Sequence, residues 1–290
     1  MKGSLSDWAV LSKARLQLMS SGAAIACAWM AADGHLSWPT ALHLFFGLTL
    51  ASNASAALNQ VYEADADAQM NRTKNRPIPA GRIDARDASR FAWVSGVVGI
   101  AWLGWFLNPL TAWLAFVMFA LYVWVYTPLK RVTTLNTLVG AFPGALPLLV
   151  GWAAPGNGLS MTAGILFAIL YLWQLPHFMA IAWMYRKDYA DGGMRMLPVD
   201  DPSGGSTARQ AIQYAIALVP VSLVPTVVGL AGLVYFYTAL TLSILFLAFV
   251  LRFALQRTDK RARIVLWASL VYLPLVLIML GLDWQGLPQS

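Results

Sequence analysis

Residues 59–82 read NQVYEADADAQMNRTKNRPIPAGR, presenting first Asn59, Glu63, Asp65 and Asp67 and then Arg72, Lys74, Arg76 and Arg82. The surrounding chain is 59% hydrophobic and only 11% charged, so this run is an anomaly. It is bounded by long, predominantly apolar sequence on both sides, at 39–58 and 88–106. Crossing a hydrocarbon core of about 30 Å takes about 20 helical residues, which makes the charged run a loop between two membrane spans.

Outward from this loop the apolar pattern repeats along the whole chain. It predicts nine transmembrane helices, at 16–32, 39–58, 88–106, 109–127, 136–154, 160–185, 210–231, 233–252 and 264–282. The fold expected is an all-α polytopic helical bundle forming one domain over residues 1–290. A mean hydropathy of +0.61 and thirteen Trp exclude an ordinary soluble domain. With the amino terminus inside, all twenty Lys and Arg fall on one side: Lys2, Lys13 and Arg15; Arg72 to Arg90; Lys130 and Arg131; Arg186 to Arg209; and Arg252 to Arg263. The opposite loops carry none, the asymmetry that inner loops of membrane proteins show. The expected location is therefore a bacterial-type inner membrane, with the amino terminus cytoplasmic and the carboxyl terminus across the membrane. The pI of about 9.7 reflects topology and phosphate handling; bases scattered over five loops give no support to nucleic-acid binding. Cys27, the only cysteine, excludes an intrachain disulfide and reads as packing. The amino end lacks the core and cleavage site of a secretory signal, so the first span is expected to be retained.

Asn59, Glu63 and Asp67 recur every four residues, so on a helix they line one face about 6 Å apart. Carboxylates beside a span are costly unless hydrated, paired or bound to cations. Few hard oxygen ligands suit Mg²⁺, which completes its shell with water and substrate phosphate. Arg72, Lys74 and Arg76 would grip the remaining phosphate charge, as a solvated loop would not require. Asp65 points away from that face, and Pro77, Pro79 and Gly81 turn the chain back towards the acids. Lys130, after Thr127-Pro128 at the end of span four, is either a rim anchor or a phosphate ligand. Pro143, Pro147, Gly140 and Gly144 make span five an irregular helix that reads as a cavity wall. His177, deep in span six, is either a hydrogen-bonded packing residue or a ligand. It shares a helical face with Asp188 if the helix runs on unbroken. His35 and His43 lie towards the opposite side and receive no chemistry.

Three stretches resemble one family. NQVYEADADAQMNRTKNRP, from Asn59 to Pro77, resembles the first signature of the UbiA-type intramembrane prenyltransferases, with MxRTxNRP from Met70 similar to their heme O synthase branch. Glu63 stands where the superfamily pattern has Asp, keeping the charge on a longer side chain. YTPLKRVTTLNTLVGAFPGALPLLVGW from Tyr126, and YLWQLPHFMAIAWMYRKDYADGGMRMLPVDDPSGGSTARQ from Tyr171 to Gln210, resemble the same branch. At the amino end Ala14 replaces the family's Pro between Lys13 and Arg15. The resemblance implies a UbiA-like fold and transfer of a farnesyl group from farnesyl diphosphate to a vinyl group of protoheme IX. It implies Mg²⁺ held by Asn59, Glu63, Asp67 and Asp188, and diphosphate held by Arg72, Lys74, Arg76, Lys130 and Arg186. It also implies that His177 lies near the heme. Asp188 and Asp191 are three apart where the superfamily often has four, so a complete second metal site is not implied. The membrane lipid is a further partner, and a heme A synthase or an oxidase assembly factor is admitted as another. Two alternatives stand beside this reading. One is a UbiA-type enzyme acting on a quinone or aromatic precursor, against which the LPHF and MxRTxNRP elements argue. The other is a nine-span transporter, which would not explain acids and bases gathered at one rim.

Overall fold

Nine long helices account for the nine apolar stretches in a computed structural model that describes residues 3–287; Lys2, counted among the inner bases, lies outside them. They are α1 (Ala14–Ala31), α2 (Trp38–Tyr62), α3 (Ala85–Phe106), α4 (Pro109–Leu129), α5 (Asn136–Ala153), α6 (Met161–Met184), α7 (Gly205–Val227), α8 (Leu233–Gln256) and α9 (Asp259–Leu282). Seven are long and apolar enough to cross a membrane on those criteria alone; α1 and α3 fall short. The reason is visible near their amino ends, where α1 carries Arg15 and Gln17 and α3 carries Arg86, Asp87 and Arg90. The chain is a multi-pass membrane protein built as a helical bundle.

The helices pack in chain order, α1 on α2, α2 on α3 and so on to α8 on α9, while α5 also packs on α1 and α6 also on α9. The expectation that α5 is an irregular helix is corrected. It is a continuous helix through Pro143 and Pro147, and its glycines serve close approach. A Cβ at Gly140 would meet the Tyr126 ring, at Gly144 the Gln174 side chain, and at Gly151 the backbone carbonyl of Ala24. Small residues let helix backbones meet where lipid gives no hydrophobic drive to association. Consequently α5 is the most covered span, 72% buried, whereas α7, α8 and α9 are each 28% buried and face outward. These last three are joined by hydroxyls. Ser222 on α7 meets Ser243 on α8 at 2.9 Å, and Ser243 meets Tyr272 on α9 at 2.9 Å.

Basic and acidic rim residues gather at one end of the bundle. There Arg82 Nε pairs with Asp7 Oδ1 at 2.7 Å, and Arg257 Nη1 donates to Ser203 O at 3.0 Å. The other end is closed by neutral or acidic contacts, such as Asn108 Nδ2 to Ala153 O at 2.7 Å and the Tyr235 N–H to Asp283 Oδ2, also at 2.7 Å. Two details differ from expectation. The basic loop between spans eight and nine shrinks to Arg257 and Thr258, because both helices extend past their apolar windows and Arg257 turns sharply with φ 29°. Span seven is shifted towards its amino end, starting at Gly205 and closing before Gly229 (φ +78°).

Candidate functional site

Helix α2 runs beyond its apolar window to Tyr62, so Asn59 is helical and buried. Glu63 is a one-residue break with φ −99° and ψ 5°, after which a short helix covers Ala64–Gln69. The four-residue spacing nevertheless survives, since the Glu63 N–H donates to Asn59 O at 3.0 Å and the Asp67 N–H to Glu63 O at 2.7 Å. Glu63 and Asp67 are 4% and 0% exposed, and Asp65 is exposed, as the helical face requires. No group of three or more His, Cys, Asp and Glu suited to a metal ion is assembled among the described residues.

The two buried carboxylates are instead engaged by bases. Asp67 Oδ2 lies 2.6 Å from Arg76 Nη1, and Glu63 Oε1 lies 2.7 Å from Lys130 Nζ. Pro77 and Ile83 anchor the returning loop: Arg82 N–H and Ile83 N–H both donate to Pro77 O, and Ile83 is buried, so the turn carries Arg76 back over Asp67. Burial alone works against the Lys130 ammonium, but the Glu63 carboxylate and the nearby tyrosines outweigh it and hold it above the ordinary lysine range. Asp67 Oδ1 is buried without a hydrogen-bond partner, an exposed need for a cation or a donor. These oxygen donors fit a hard divalent cation.

A second element faces them. Helix α6 breaks at Tyr185 (φ −108°) and a short helix, Arg186–Asp191, follows. This break removes the shared face expected for His177 and Asp188. Asp188 turns instead to the first loop, where its Oδ2 accepts the Arg72 N–H at 3.1 Å. The Arg72 guanidinium rests 4.8 Å from the Tyr185 ring centre and 5.6 Å from that of Tyr189. Beneath this contact Ala66, Met70, Ala182, Met194 and Met196 form a small apolar cluster that seats one loop on the other. Lys130 O accepts the Arg195 N–H at 2.7 Å, tying in the third loop.

Not every expected residue joins the group. Arg186 is diverted, its Nη1 pairing with Asp259 Oδ1 at 2.7 Å while its guanidinium lies 4.4 Å from the Trp183 ring centre. Lys74 is exposed and bonds Asn71 Oδ1 at 2.9 Å. His177 is half-buried between α6 and α9: its Nδ1 is 2.7 Å from Ser269 Oγ, and its ring stacks on Trp173 at 5.2 Å. Ser269 Oγ also lies 2.6 Å from Leu266 O, which can only accept. The serine proton therefore goes to Leu266, His177 donates through Nδ1–H, and its Nε2 carries the free lone pair. Residues missed from sequence are Thr127, which accepts from Asn59 Nδ2 at 3.2 Å, and Tyr122, Tyr126 and Tyr185 around the bases. The aromatic enrichment after Tyr122 was the available signal, but span aromatics are more commonly lipid or core contacts.

Comparison with known proteins bears on this geometry. The model of the UbiA prenyltransferase family matches residues 20–280. The chain is 44% identical to the protoheme IX farnesyltransferase of Solibacter usitatus, over 97% of this chain and 99% of that protein. Among solved structures it resembles a digeranylgeranylglyceryl phosphate synthase, with TM-score 0.81 at 17% identity over 96% of this chain and 98% of the other. It also resembles a UbiA homolog from Archaeoglobus fulgidus bound to GPP and Mg²⁺, with TM-score 0.68 at 13% identity over 95% and 99% of the two chains.

Proposed function

The chain belongs to the UbiA prenyltransferase family, and on that premise we propose that it acts as one catalytic domain transferring a farnesyl group from farnesyl diphosphate to a vinyl group of protoheme IX. The products are heme O and diphosphate. What carries the choice of acceptor is the near full-length likeness to the Solibacter protein. Buried Asn59, Glu63 and Asp67, with Asp188 across from them, are the residues that would hold Mg²⁺, and the unpartnered Asp67 Oδ1 supports that assignment. When bound, Mg²⁺ neutralises charge on the diphosphate leaving group.

Arg76 and Lys130 already lie at the carboxylates, so a diphosphate arriving at this rim meets a forked donor and a point charge together. Both stabilise the charge that grows on the leaving oxygens as the farnesyl C1–O bond breaks with its electron pair. Arg72 faces the same rim from the edge of the loop and is a further diphosphate contact. Lys74 and Arg186, turned elsewhere, would need to swing in to contribute. The vinyl carbon bonds to farnesyl C1, and water adds to the resulting porphyrin-side cation with loss of a proton, so no strong enzymic base is required. His177, with Nε2 free to accept or ligate, is the proposed contact to the heme.

The bases gathered at one end support an amino terminus in the cytoplasm and an inner-membrane location. A lipidic product formed there suits handover within the bilayer, to a heme A synthase or an oxidase assembly factor. Purified protein given Mg²⁺, heme B and farnesyl diphosphate should yield farnesylated heme by mass spectrometry. Prenylation of a quinone precursor and not of heme would overturn the choice of acceptor.

A further inference from the structure

Residues Leu121–Tyr126, within α4, form a π-helical turn, in which backbone N–H groups bond five residues back. The Thr127 N–H accordingly reaches Tyr122 O. The widened turn also eases the lack of an N–H at Pro128, which would strain a regular helix. Its second effect falls on the Thr127 side chain, whose hydroxyl oxygen lies 2.8 Å from the same Tyr122 carbonyl.

A carbonyl only accepts, and a threonine hydroxyl has one proton to give. At 2.8 Å two acceptor lone pairs would repel, so the Thr127 proton is spent on Tyr122 O. The Thr127 oxygen can then only accept, and its other neighbour is the Asn59 amide at 3.2 Å, 68 residues away on a different helix. The amide must therefore present its Nδ2 to Thr127. Its oxygen is left available as a ligand. Thr127 and Asn59 are 5% and 1% exposed, so water does not substitute for either bond. A threonine bonding back along its own helix commonly does no more than finish a turn; here the bonds reach on to Asn59, which stands four residues before Glu63 and eight before Asp67.

We propose that Thr127 is a positioning residue which, by accepting from Asn59 Nδ2, orients the amide oxygen of Asn59 for the divalent cation. This rests on the reading of Asn59, Glu63 and Asp67 as the cation site. Thr127→Val keeps the side-chain shape and the backbone bond to Tyr122 O while removing the acceptor; Thr127→Ser keeps the acceptor.

The test uses full-length protein in detergent, Mn²⁺ as a paramagnetic probe in place of Mg²⁺, and farnesyl diphosphate present throughout. Free and bound Mn²⁺ are separated by electron paramagnetic resonance. Loss of one hydrogen bond predicts Mn²⁺ binding weakened about three- to tenfold in Thr127→Val, with wild-type affinity in Thr127→Ser. Raising Mg²⁺ should restore turnover of the Val variant, as damage to the fold would not allow. Should Thr127→Val fail to fold, Thr127→Ala serves the same comparison. Equal Mn²⁺ affinity in wild type and the Val or Ala variant overturns the role of Thr127. Absence of Mn²⁺ binding by the wild type overturns the cation site itself, and the positioning role with it.

Discussion

Glu63→Gln keeps the shape of the side chain and removes the charge 2.7 Å from Lys130 Nζ. The Lys130 and Glu63 side chains are 12% and 6% exposed, so solvent cannot take over the lost interaction. In the wild type, burial opposes the ammonium, and Glu63 with the neighbouring tyrosines more than offsets it, raising the folded pKa above the ordinary lysine value. With Gln at 63, the chain either carries an ammonium without its buried counter-charge or releases the proton. Releasing it sets a ceiling, since deprotonating an ordinary lysine at pH 7 costs about 4.6 kcal/mol. Removing one partner of a buried pair typically costs about 3–5 kcal/mol, so the two limits agree. At pH 9 the ceiling falls to about 1.9 kcal/mol. The wild-type contribution from a raised lysine is fully present below about pH 10 and is lost only at higher pH, so between pH 7 and 9 the change comes from the variant. Denaturant unfolding in micelles should therefore show Glu63→Gln less stable by about 3–5 kcal/mol at pH 7, with a deficit smaller by up to about 2.7 kcal/mol at pH 9. Adding Lys130→Met should recover most of the loss, because a neutral pair leaves no buried charge. A deficit that is the same at both pH values, or a double variant no more stable than Glu63→Gln, would refute the reasoning.

Gly151→Ala sets a methyl against the Ala24 backbone carbonyl, which cannot rotate away, and should cost about 1–3 kcal/mol in the same unfolding assay. Arg76→Ala, which strips Asp67 of its partner, should lower turnover at least about a hundredfold, as loss of a buried transition-state contact does. Arg186→Ala, engaged with Asp259, should stay near wild-type turnover; equal losses in the two variants would put Arg186 back at the diphosphate. Asp7 titrates at about 2, held down first by the Arg82 hydrogen bond and then by those of Ser4. Its support for the amino-terminal segment is complete above about pH 4 and fades as pH falls towards 2. Carboxyl-carbon nuclear magnetic resonance of Arg82→Gln should move that titration upward.

The spans were legible because apolar length and the one-sided placement of bases are both written in single residues. So was the Asn59, Glu63 and Asp67 face, since a spacing of four persists through the break at Glu63. The pairing of Arg76 and Lys130 with those acids was not, because it depends on the Pro77 turn and the end of α4 arriving at one place. Arg186 stands apart from the acids for a similar reason: the interruption at Tyr185 sets its guanidinium against Asp259 on α9, and nothing in YRKDY announces a break. The π turn was invisible because its one-residue widening leaves the apolar pattern of Leu121–Tyr126 unchanged. Thr127 consequently read as a helix end, when it is the joint between α4 and Asn59.

The hydroxyl chain through Ser222, Ser243 and Tyr272 also settles an angle. Lipid solvates α7, α8 and α9 about equally at any rotation, and each such bond averages only about 0.6 kcal/mol in membrane helices. Turning one helix by a single residue, about 100°, would nevertheless strand its hydroxyl in hydrocarbon. Ser222 gives its proton to Val219 O at 2.8 Å, so it accepts from Ser243, which in turn accepts from Tyr272. The bonds thus run in one direction across three helices, as a key with a single orientation. The outer third of the bundle is indexed by these polar atoms, leaving its apolar surface free to vary with the surrounding lipid.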